Sequence, residues 1–186
     1  MHSLLRVRIS YSFILLVCIG LFLGYSRIIF FCLLAATCHE LGHVAVMKRY
    51  GKKILQICIG ISGTELISEP LSYRQELLCA LAGPLVNLII FLFCRLRLHY
   101  FSYCSLLLCA YNALPIYPLD GGRMLCCALS MRHGDSKAET ICEVVSFGVC
   151  LCLMLVATCV IVYCRCGLWP LFLSTVLFCK IGWTSD

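Results

Sequence analysis

Apolar residues in this chain come in long blocks rather than in strict alternation. The first block covers about 9–25, the second 28–46, the third 75–93 and the fourth 100–128. A fifth covers about 141–163 and a short sixth about 168–178. Roughly 20 apolar residues at about 1.5 Å rise each match a hydrocarbon core about 30 Å thick. The pattern therefore predicts an all-α polytopic protein with about six transmembrane helices. Ser26 with Arg27, Arg95 with Arg97, and Arg165 with Gly167 mark turns between blocks.

Three stretches depart from that pattern. Residues 50–70 are Gly-punctuated, rich in Ile and end in Glu69-Pro70, too short and broken for a span. They predict a membrane-associated β-hairpin or re-entrant loop, with an ordinary connecting loop as the plainer alternative. Within the fourth block, Pro115, Pro118, Gly121 and Gly122 interrupt regular helix. Broken helix at membrane depth persists only where protein or water satisfies the freed backbone groups. Residues 130–140 are polar and predict a water-exposed loop.

Composition sharpens the class. A chain that is 62% hydrophobic and 13% charged, with mean hydropathy +0.98, is not a soluble domain. The formal charge of +6 does not call for nucleic acid as a partner. If the N-terminus is cytoplasmic, six spans place eleven of the 15 basic residues inside, which fits the positive-inside rule with both termini cytoplasmic. A secretory signal peptide is rejected for the first block: no small-residue cleavage site stands out, and further spans follow. The 17 cysteines lie mostly singly in apolar runs, and no two are spaced i, i+3. They read as small hydrophobes, with Cys164 and Cys166 a possible exception in an oxidising compartment. Six spans consume about 120 residues. The expectation is one integral membrane domain over 1–186, without room for a soluble sensory or peptide-binding domain.

The candidate chemistry sits late in the second block, where residues 38–43 read CHELGH. His39 and His43 lie one above the other on a helix, about 6 Å apart along its axis. Both imidazoles then reach one metal ion, and Glu40 is close enough to handle a water on it. Keeping these groups in hydrocarbon costs several kcal/mol, so a chain that does so uses them. Catalytic zinc takes three protein ligands and keeps one open position. Asp120, a carboxylate inside the broken fourth block, is nominated as the third by that costly location rather than by spacing. Zinc would lower the pKa of a water from about 15.7 towards 7. Glu40 would accept its proton and later deliver one to the leaving amine.

In the third block, Ala82-Gly83-Pro84 and Asn87 read first as a helix-packing seam with no chemical role. Pro84 is expected to kink the helix and free a carbonyl. His2, His99 and His133 lie near ends or in loops and read as solvated or interfacial. The rival from another class is a non-hydrolytic zinc-binding membrane protein or metal carrier. A carrier needs ligands in two alternating arrangements and a path of further polar residues, and the spans hold few. A catalytically dead scaffold is opposed by Glu40, which is not needed merely to bind zinc.

CHELGH in the second block, AGPLVN in the third and NALPIYPLDGG in the fourth resemble the site-2 protease family of intramembrane zinc metalloproteases, over roughly 28–130. The layout looks most like the stage IV sporulation protein FB branch. The resemblance implies a three-helix catalytic core and one zinc ion per chain, held by His39, His43 and Asp120, with Glu40 catalytic. It implies that Asn112 lies near the substrate backbone and that the 50–70 hairpin holds substrate. It further implies a membrane-protein or membrane-associated peptide substrate, such as a pro-sigma or anti-sigma factor, and a bacterial cytoplasmic membrane. Members of the family often carry a CBS or PDZ domain, for which this chain has no room. Oligomeric state is not specified by any of these features.

Overall fold

The structure, a computed structural model, describes residues 6–60, 63–164 and 175. Its elements fall into two compact units, Met1–Asn112 and Ala113–Asp186.

In the first unit, strand β1 (Arg6–Ile9) leads into helix α1 (Tyr11–Phe22) and the long helix α2 (Ser26–Arg49). Strands β2 (Ile54–Gly60) and β3 (Gly63–Ser68) follow, then α3 (Tyr73–Cys94) and α4 (His99–Asn112). Helix α2 packs on both α3 and α4, and these two pack on each other. Ala35, Met47, Cys79, Ala80 and Phe101 are buried within this unit. Phe30, Leu33, Leu88, Leu92 and Leu107 are exposed. Apolar surface costs about 25 cal/mol per Å² in water but nothing in hydrocarbon, so the outward faces suit a bilayer. Helix α2 ends where Gly51 N–H bonds to the Lys48 carbonyl and Lys52 N–H to that of Met47, at 3.0 Å each. Lys48 and Arg49 in its last turn complement the negative end of the helix dipole.

The 50–70 stretch forms the expected hairpin. β2 and β3 pair antiparallel, with Ile57 opposite Leu66 and an irregular register between Ile54 and Gln56. Its base is closed by Glu69 N–H to the Lys53 carbonyl (3.1 Å) and Lys52 Nζ to the Pro70 carbonyl (2.7 Å). The sheet also contains a strand the hydrophobic blocks do not reveal. β1 pairs parallel with β2, Val7 opposite Ile57, giving the order β1-β2-β3 among the described residues.

In the second unit, residues 113–119 lead into α5 (Asp120–His133) and α6 (Asp135–Cys164), which pack together. Ala138, Cys142, Ser146 and Cys150 are all buried at four-residue intervals along α6. Such a stripe of small residues lets another helix approach closely. Cys142 and Cys150 carry free thiols there, in the small-hydrophobe role expected of them.

Among the described residues three helices, α2, α3 and α6, are long and apolar enough to cross a membrane. Several such helices in one chain make a multi-pass membrane protein. The first block forms only a 12-residue helix, α1, about 18 Å long and short of a ~30 Å core. The fourth block is two separate 14-residue helices, because Pro115 and Pro118 cannot continue α4. The expected loop at 130–140 is helical except at Gly134, where α5 stops and α6 starts. Its Lys, Ala and Glu residues form helix well, and polarity there marks a wet helix surface rather than a loop. The short segment expected at 168–178 lies outside the described residues apart from residue 175.

Candidate metal centre

Four-residue spacing on α2 sets His39 and His43 one turn apart, and each is 4% exposed. Their ring centroids are 4.8 Å apart, and the two Nε2 atoms approach to 3.1 Å. Each ring is gripped from α3 through its other nitrogen. His43 Nδ1–H donates to the Cys79 carbonyl at 2.7 Å, which leaves a lone pair on His43 Nε2. This is not the carbonyl that Pro84 releases. An i to i−4 ladder assigns the missing Pro84 donor to Ala80, one residue further along. His39 Nδ1 lies 3.1 Å from Asn87 Nδ2.

Gly83 makes this arrangement possible. A Cβ on Gly83 would overlap His43 Nε2 and sit 2.7 Å from His39 Cε1. Any side chain there would occupy the space into which the imidazoles point. The AGPLVN stretch is therefore more than a packing seam: Gly83 leaves room for the rings and Asn87 holds one of them. Asn87 is fully buried, and its Oδ1 meets no hydrogen-bond partner among the described residues. An orphaned buried acceptor costs about 1–3 kcal/mol. Sequence reading had one signal for it, the cost of an amide in an apolar helix, but no means of knowing which ring it would meet.

Glu40 follows His39 on the same helix and is half-buried. Asn112 closes α4, and its Nδ2 donates to the Leu108 carbonyl at 3.1 Å.

In the second unit, Asp120 is the first residue of α5 and is 5% exposed. A carboxylate is favoured at that helix end by the dipole. Arg123 Nη1 lies 3.4 Å from its Oδ1. The two following glycines explain how the carboxylate is placed. A Cβ on Gly121 would strike the carbonyl oxygens of Ala113 and Leu114, and one on Gly122 the backbone of Ile116 and Tyr117. The preceding loop thus lies directly on the first turn of α5. Tyr117 N–H is held in turn by Ser146 Oγ of α6 at 2.9 Å.

The sequence profile of peptidase family M50 matches residues 94–156. Over 169 residues the chain is 30% identical to a zinc metalloprotease of Methanocaldococcus jannaschii, covering 81% of this chain and 50% of that protein. The chain is thus similar to peptidase family M50 and to a zinc metalloprotease. A second relative, stage IV sporulation protein FB of Bacillus subtilis, is 26% identical over 184 residues, covering 91% of this chain and 59% of that protein. The chain thus spans half to three-fifths of the length of these curated relatives. The fold agrees: the solved site-2 protease from Methanocaldococcus jannaschii matches with a TM-score of 0.76 at 23% identity, covering 100% of this chain and 93% of that one. The site-2 protease family implies zinc. His39 and His43 in the first unit and Asp120 in the second are each buried, and two imidazoles with one carboxylate are a donor composition that catalytic zinc accepts.

Proposed function

We propose that the chain is an intramembrane zinc metalloendopeptidase that hydrolyses a peptide bond in or near a transmembrane segment of a membrane-associated substrate. The observation that carries this reading is the buried imidazole pair of α2, with Nε2 atoms 3.1 Å apart and each Nδ1 held by α3. In this reading His39, His43 and Asp120 hold one zinc ion. When bound, zinc polarises the scissile carbonyl and lowers the pKa of a water from about 15.7 towards 7. Glu40 takes a proton from the attacking water onto its carboxylate and passes it to the leaving nitrogen. Asn112 lies against the substrate backbone.

The hairpin gives the substrate a place to unwind. A peptide bond inside a helix is hydrogen-bonded and shielded, so the substrate must become locally extended. β3 is an outer strand of the sheet, and an edge strand offers N–H and C=O groups to an added one. The proposed setting is a bacterial cytoplasmic membrane with both termini cytoplasmic. The proposed substrates are sigma-factor precursors or anti-sigma factors, the class implied by the likeness to the sporulation protein.

Purified chain in lipid vesicles, mixed with single-span or hairpin substrates of this class, is expected to produce cleavage within or beside the span. A zinc chelator should abolish it, and added zinc should restore it. Cleavage that persists under full chelation would contradict the reading.

A further inference from the structure

Asn87 of α3 stands behind His39 of α2, its Nδ2 3.1 Å from the ring Nδ1. His43 is settled: its Nδ1–H donates to the Cys79 carbonyl, so its Nε2 offers a lone pair. His39 has two neutral forms, and Asn87 can accept either by a half-turn of its amide. With Nδ2 towards the ring, as the atoms stand at 3.1 Å, the amide donates to a bare Nδ1 and the proton sits on His39 Nε2. That proton then points at the His43 Nε2 lone pair 3.1 Å away, and the two rings close on each other. With Oδ1 towards the ring, His39 Nδ1–H donates to the amide oxygen. Both Nε2 atoms then present lone pairs to the same point, an arrangement that repels itself unless a cation lies between them.

We infer that Asn87 is a positioning residue for the metal: its amide turns Oδ1 to His39 Nδ1–H when zinc binds and Nδ2 to the bare nitrogen when zinc leaves. The buried Oδ1 without a partner among the described residues is the acceptor held for the loaded form. Asn87 is suited to this because a carboxamide carries donor and acceptor on one rotor. It touches neither substrate nor the metal. The inference rests on the reading of His39 and His43 as zinc ligands.

Zinc affinity of the purified full chain, measured by chelator competition, tests it with two variants. Asn87→Leu keeps the branched shape, though it is bulkier, and can neither donate nor accept, so affinity should fall about 10–100-fold, the usual effect of removing a partner behind a ligating histidine. Asn87→Asp keeps the acceptor and should retain most of the wild-type affinity. Thermal unfolding of the chelated proteins separates this from packing, since a packing role would lower stability without changing affinity. Nitrogen-15 spectra of histidine-labelled wild-type protein need no variant. They should show the His39 proton on Nε2 under chelation and on Nδ1 with zinc. Equal zinc affinity in wild type and Asn87→Leu, an Asp variant as weak as the Leu variant, or a His39 proton that does not change nitrogen would overturn the Asn87 assignment. Failure of the wild type to bind zinc at all would overturn the ligand reading beneath it.

Discussion

Glu40→Gln is expected to leave the zinc content of the purified protein unchanged and to reduce substrate cleavage by about 10²–10⁴-fold, the range of a lost general base. Glutamine has the shape and length of glutamate but cannot take a proton at neutral pH. His39 and His43 flank position 40 on α2 and do not depend on its charge for their Nδ1 contacts, which go to Cys79 and Asn87. The variant therefore separates metal binding from proton transfer. Metal analysis beside a cleavage assay on a single-span substrate reads both. Unchanged cleavage would remove Glu40 from the chemistry. Loss of zinc together with activity would make it a ligand or a structural residue instead.

Asp120→Ala is expected to lower bound zinc sharply and to abolish cleavage, because two imidazoles alone leave a catalytic site one ligand short. The fold should survive. Removing one carboxylate from a helix start forfeits about 0.3–1 kcal/mol of dipole interaction. The loop meets the first turn of α5 through backbone atoms at Gly121 and Gly122. Circular dichroism of the detergent-solubilised protein should thus match wild type while metal analysis does not. Full zinc occupancy in Asp120→Ala would take Asp120 out of the ligand set.

What could be read beforehand divides along the line between local and tertiary determinants. His39, Glu40 and His43 announce themselves because an i, i+4 pair shares a helix face whatever surrounds it. The 50–70 hairpin is legible because Gly63 and the Ile-rich runs cannot make a span. Pro115 and Pro118 likewise end a helix by covalent geometry. Asn87 and Gly83 were legible only as polar and small residues in an apolar block. Their function depends on which residue of α2 they meet, and that is set by how two helices cross. β1 was hidden for a different reason. Arg6-Val7-Arg8-Ile9 alternates with the period of a strand, yet four residues before an apolar block read as its basic flank. Only the neighbouring β2 supplies the hydrogen bonds that make them a strand. At 130–140, polarity alone does not separate irregular backbone from helix, because side chains such as Lys and Glu favour both water and helix.

The proposed metal is held by nitrogen and oxygen in a chain that also offers 17 sulfur atoms from cysteine. Zinc-edge X-ray absorption on the purified chain distinguishes the two directly, because zinc–sulfur distances are about 2.3 Å and zinc–nitrogen or –oxygen distances about 2.0–2.2 Å. The expected spectrum shows one zinc per chain, a shell near 2.0–2.2 Å with the outer scattering of two imidazoles, and no sulfur shell. A sulfur shell near 2.3 Å, or a purified wild-type protein that retains no zinc, would contradict it.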